Sequence, residues 1–126
     1  MAVWFIRAGK DGIHEEKFLK DKKIYLTWDN LDTDLGTCKT KETLKNLLTG
    51  LYVNKGARTI SSSAGQAWRF YQEIEVGDII LVPIKSTRMI QAGKIISGYK
   101  FEQKESNPYY HSRSVECKPP LRAVVF

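Results

Sequence analysis

Trp28 closes an apolar run, KIYLTW, and a polar stretch, DNLDTDLG, follows it at once. An indole at the edge of an element can stack on a flat ring or fill a core, and both uses are open here. Tyr109, Tyr110 and His111 stand beside Arg113 after a polar loop, so rings and positive charge alternate. That mixture stacks bases and neutralises phosphates; a cross-strand aromatic pair is the plainer alternative. Trp4 and Trp68 fall inside elements and read as core.

Catalytic chemistry finds less support. There is no nucleophile elbow of the GxSxG type and no GxxxxGK[ST] phosphate cradle. His14 lies in an acidic segment and His111 in a basic, aromatic one, neither beside a nucleophile. Asp29, Asp32 and Asp34 crowd one loop without the glycine and distal glutamate of a calcium loop. Cys38 and Cys117 lack the paired spacing of metal ligands and read as free buried thiols. The sequence therefore predicts no catalytic residues, no metal and no cofactor.

The elements that would position these residues follow from periodicity and punctuation. Strands are predicted at 2–8, 23–28, 79–84, 88–97, 99–101, 109–116 and 121–126. The unbroken IILVPI run reads as a strand covered on both faces, with Pro83 marking a strand end or bulge. Helices are predicted at 13–20, 41–53 and 61–73. In the second, Thr40 is the cap and Leu44, Leu47, Leu48 and Leu51 form the core stripe; Gly56 reads as a stop. Gly93 and Gly98 read as bends of a small barrel, and 102–108 as a polar loop. The sum is an α+β fold, a small mixed, partly closed β-barrel of about six strands flanked by about three helices.

A length of 126 residues suits one domain spanning 1–126. Its end inside an apolar strand suggests a piece of a longer parent. No run approaches a membrane span, and the first residues put apolar groups before charges, the reverse of a secretory signal. A cytoplasmic location is expected, with no membrane partner. The formal charge of +6 attracts phosphate backbones.

Four segments occur in a telling order: WFIRAG near the start, KKIYLTWDNL, AGQAWRFYQEIEVGDIILVP and QAGKIISGY. Together, over roughly residues 3–116, they resemble the PUA-like superfamily in its EVE/YTH-like branch. They are most similar to the N-terminal domains joined to Mrr-type and McrB-type modification-dependent restriction proteins. The resemblance implies a non-catalytic DNA-binding module, the targeting part of a restriction system. It would take a methylated or hydroxymethylated base, flipped from double-stranded DNA, into an aromatic pocket. A nuclease or NTPase would be fused to it or assembled with it. Trp28 matches the family's pocket tryptophan, and Tyr99 or Tyr109 falls where a second wall is expected. Asn30, Ser61, Ser62 and Ser63 are candidates for the base edge or nearby backbone. Lys55, Arg58, Lys85, Arg88 and Arg113 are the candidate phosphate contacts. Two alternatives stand beside this reading, an RNA-binding PUA-like domain and an ASCH-like nucleotide hydrolase.

Overall fold

A computed structural model describes residues 2–103, 106, 108–119, 121 and 122. The chain runs β1 (Val3–Phe5), α1 (Glu15–Asp21), β2 (Lys23–Leu26), α2 (Lys41–Leu51), α3 (Ala57–Trp68), β3 (Ile79–Ile84) and β4 (Met89–Ile95). It ends in β5 (Lys100–Phe101), β6 (His111–Cys117) and β7 (Leu121–Arg122). Residues 123–126 of the predicted last strand, and 104, 105 and 107 of the predicted loop, lie outside the described residues.

The strands form one mixed sheet in the order β1-β3-β4-β6-β2, curled into a half-barrel; β5 pairs with β6 and β7 with β4. Only β1 and β3 are parallel. β6 turns the corner. Its first residues pair with β2 on one edge and β5 on the other, while Val115, Glu116 and Cys117 pair with β4. Gly93 permits that close approach, because a Cβ there would overlap Val115. β1 and β2 end the strand order and do not pair with each other, so the barrel stays open.

β3 corrects the expectation of a strand covered on both faces. Ile80, Val82 and Ile84 are buried while Ile79, Leu81 and Pro83 are half exposed, the alternation of a strand with one inward face. Val3 and Phe5, the register partners of Ile79 and Leu81, are exposed, so the outer face is open. Pro83 lies inside the strand. Ile79 N–H donates to the Ala2 carbonyl and the Leu81 carbonyl accepts from Ile6 N–H. By alternation position 83 faces the same side, where β1 has already ended, and no donor is needed there.

α2 forms as its leucines dictate. Thr40 Oγ1 accepts the Thr43 N–H at 3.1 Å, and Leu44 and Leu48 are fully buried. α3 begins four residues before the predicted start. Gly56, read from sequence as a stop, is the extended N-cap, and the serine cluster lies inside the helix. Ile60, Ala64 and Ala67 face the core, and the helix continues through a π-helical stretch, Arg69–Glu73, closed by Ile74 N–H on the Arg69 carbonyl at 2.9 Å. α1 buries Phe18, whereas Ile13 precedes the helix and is exposed. Cys38 is buried; Cys117 is exposed, because it ends β6 at the sheet margin.

Candidate functional site

β2 delivers Trp28 to the surface two residues beyond its last pairing, where Asn30 turns the chain with φ 64°. The end of α2 meets it there. Tyr52, the C-cap of α2, donates its hydroxyl to the Asp29 carbonyl at 2.6 Å, and Lys55 N–H donates to the Tyr52 carbonyl at 3.0 Å. Burial, then the charges of Asp29 and Asp32, raise the Tyr52 pKa, so the phenol stays protonated.

These groups line a cleft that is widely open to solvent, with a volume of about 400 Å³. Trp28 and Tyr52 supply its aromatic surface and the buried Ile60 an aliphatic one. Thr27, Asp29, Lys55, Thr59 and Ser63 supply the polar groups. Thr59 and Ser63 share a face of α3, four residues apart. Neither the Trp28 indole N–H nor the Asp29 carboxylate has a hydrogen-bond partner among the described residues. The cavity thus offers rings for stacking, an acceptor, an ammonium and the hydroxyl-bearing Thr27, Thr59 and Ser63. Its volume lies within the ~300–1,000 Å³ typical of small-molecule sites.

Of the residues singled out from sequence, Trp28, Lys55 and Ser63 line this cavity. Asn30, Arg58, Ser61 and Ser62 are exposed neighbours that do not line it. Tyr99 and Tyr109 are corrections, because both are already engaged. Tyr99 O–H meets His111 Nδ1 at 2.7 Å and accepts the Leu35 N–H at 3.0 Å, and burial raises its pKa. Tyr109 O–H meets His14 Nδ1 at 2.8 Å; its ring packs edge-on against Tyr25 and carries the Lys17 ammonium 5.1 Å from its centroid. His14 itself has a lowered pKa, from burial first, against an opposing pull from Asp29.

Arg113 is the clearest correction among the phosphate candidates. It is 3% exposed. Its guanidinium donates to the carbonyls of Phe70, Ile74 and Ser97, which leaves it unable to reach a phosphate. Lys85 and Arg88 lie in the turn between β3 and β4 and do not line the cavity. Lys85 Nζ is 3.2 Å from Asp11, and its backbone N–H donates to Glu15. Sequence reading missed Tyr52, Thr59, Thr27, Asp29 and Ile60. Tyr52 directly follows the leucine stripe of α2, and that position was the available signal.

Among the described residues, no group of three or more His, Cys, Asp or Glu is placed to hold a metal ion. Among them also, no helix is long and apolar enough to cross a membrane. A family model described as a domain of unknown function, DUF8426, matches residues 4–117. The chain belongs to this family. The DUF8426 span runs from Trp4 in β1 to Cys117 at the end of β6, so it contains all three helices and every residue of the cavity. Comparisons with curated proteins and with solved structures find no match.

Proposed function

We propose that this DUF8426 chain is a non-catalytic reader of a modified base in DNA, related to the EVE/YTH-like branch of the PUA-like superfamily and serving as the targeting part of a restriction system. The observation that carries the reading is the Trp28 cavity, with its second ring from Tyr52 and its ammonium from Lys55. Extruding a base from a duplex costs a few kcal/mol, and stacking on aromatic walls returns about 1–3 kcal/mol per base. A buried methyl adds roughly 0.8 kcal/mol, enough to favour a modified base several-fold but not to drive binding alone. Phosphate contacts by a chain of charge +6 supply the remainder.

The test is a titration of the protein against matched duplexes that are unmodified or carry N6-methyladenine, 5-methylcytosine or 5-hydroxymethylcytosine, and against RNA of the same sequence. Tighter binding to one modified DNA is expected, and Trp28→Ala should weaken that duplex by about 5–150-fold, the equivalent of the stacking energy. Affinity indifferent both to modification and to loss of Trp28 rejects the reading. Preference for RNA moves the chain to the RNA-binding alternative, and turnover of a nucleotide moves it to a hydrolase.

A further inference from the structure

The molecule's positive charge is not spread evenly. Between Lys39 and Gln72 the cations are Lys39, Lys41, Lys45, Lys55, Arg58 and Arg69, and the sole acidic residue is Glu42. That segment carries +5 of the chain's +6, and +4 once Glu73, the last residue of the π-helical stretch that continues α3, is included. All six cations except the half-buried Lys45 are exposed. None of their charged groups has a partner among the described residues, a condition shared by Lys20, Lys22, Lys94 and Lys100 elsewhere, whereas Lys17, Lys23, Lys85 and Lys118 each lie against a carboxylate.

The arginines of α3 are also aligned. Arg58 and Arg69 are eleven residues apart, close to three turns, so they share one face with the exposed Ser62 and Gln66 between them. Their backbones stand about 16 Å apart along the axis. Arg69 folds back along the helix over Gly65. A Cβ there would lie 3.4 Å from Arg69 Nη2, an ordinary contact distance, so the guanidinium lies close against the backbone toward the middle of the helix. The first turns of the same helix line the Trp28 cavity through Thr59 and Ser63.

We infer that the exposed face of the α2–α3 hairpin is the track on which nucleic acid lies, leading its phosphates past the mouth of the Trp28 cavity. The inference rests on the nucleic-acid reading above and assigns the phosphate contacts to Arg58, Arg69 and Lys55 in place of Lys85, Arg88 and Arg113. Charge complementarity selects the occupant, because six unpaired cations with serine and glutamine donors between them match a phosphate chain.

The slope of log affinity against log salt tests it, since each phosphate contact contributes about 0.9 to that slope on B-form DNA. The double variant Arg58→Gln, Arg69→Gln should flatten the slope by about one to two units. It should weaken modified and unmodified duplexes by the same factor, leaving the Trp28-dependent ratio intact. The control Lys20→Gln, Lys94→Gln removes the same charge elsewhere and should leave the slope nearly unchanged; thermal melting confirms that both variants fold. Equal flattening by the two double variants overturns the track in favour of a diffuse field. An unchanged slope in the arginine variant overturns it while a persisting Trp28-dependent ratio keeps the base-reading proposal. Binding of polyglutamate or anionic vesicles as tight as that of duplex removes nucleic acid as the occupant. A wild-type protein that binds no nucleic acid removes both.

Discussion

His111 has both ring nitrogens committed inside the core. Nε2 lies 2.6 Å from the Leu31 carbonyl, which can only accept, so the proton sits on Nε2. Nδ1 then accepts from the Tyr99 hydroxyl, which in turn accepts the Leu35 N–H. Three groups thereby fasten the loop after Trp28 to β6. Burial lowers the His111 pKa, against smaller opposing effects of the Leu31 carbonyl, Asp34 and Asp32. In the unfolded chain this histidine takes up a proton near pH 6.5, the ordinary value, and in the folded chain only at lower pH. The unfolded state therefore binds more protons just below pH 6.5, so stability is full above that value and falls as pH drops through it. Urea unfolding at a series of pH values should show this decline, to which His14 adds through its own lowered pKa, and His111→Gln should reduce it. Tyr99→Phe leaves the Leu35 N–H and His111 Nδ1 without partners and should cost about 1–3 kcal/mol at neutral pH. A Tyr99→Phe protein as stable as wild type would show that water replaces the clamp. Trp28 was singled out because its indole stands at the edge of an element beside a polar turn, and it both lines the cavity and packs against the core. The buried roles of His111 and Arg113 were not legible, because their partners are mainly backbone carbonyls, which every residue type carries.

At the scale of elements, two polar side chains hold pieces that their own sequences would not hold. The carboxylate of Asp78 takes the Trp4 indole N–H and the Glu75 N–H at 2.9 Å each and the Ala2 N–H at 3.0 Å. It thus ties the three-residue β1 to the turn before β3. These donors, Glu75 first, hold its pKa down at about 2. Stability from this group is present above about pH 3.8, the unfolded value, and is lost as pH falls toward about 2. Asp78→Asn should shrink the acid limb of the unfolding profile, to which Asp21 and Glu116 also contribute, while leaving the decline from the histidines. Arg113 acts likewise on the π-helical stretch, bridging β6 to the carbonyls of Phe70 and Ile74. Burial lowers its pKa, with Asp78 opposing. Arg113→Met should destabilise the fold by about 3 kcal/mol, with nucleic-acid affinity of the folded protein unchanged. A large loss of affinity without loss of stability would return Arg113 to the phosphate-binding set. The elements themselves were legible where a local pattern sufficed. Thr40 and the leucines announce α2, whereas α3 was started late because glycine both stops helices and, as Gly56 does, caps them. The cavity was only half legible, since Trp28 and Tyr52 come together where the Tyr52 hydroxyl, just after α2, bonds the Asp29 carbonyl, a contact no local pattern records.

Over the whole molecule, the cavity and the weakest margin of the sheet stand at opposite ends of the strand order. β1 opens that order and β2, which leads into Trp28, closes it. β1 is three residues long, pairs only with β3, and leaves Val3 61% and Phe5 62% exposed. β4, by contrast, is paired along both edges, with β3 on one and β6 and β7 on the other. Local opening should therefore cost least at β1 and most across β3, β4 and β6, an order that native-state amide exchange reads directly. Because the cavity draws on the residues just after β2, the connection after α2 and the first turns of α3, loosening β1 should not reach it. Asp78→Asn is the means to separate the two. It should speed exchange at Ile79 N–H, which donates to Ala2, and leave duplex affinity near the wild-type value. Added duplex should in turn slow exchange in the first turns of α3 and at the end of α2, with β1 unaffected. Protection appearing instead in the turn between β3 and β4, at Lys85 and Arg88, would move the interface to the other basic loop and take the charge of α2 and α3 out of the binding account.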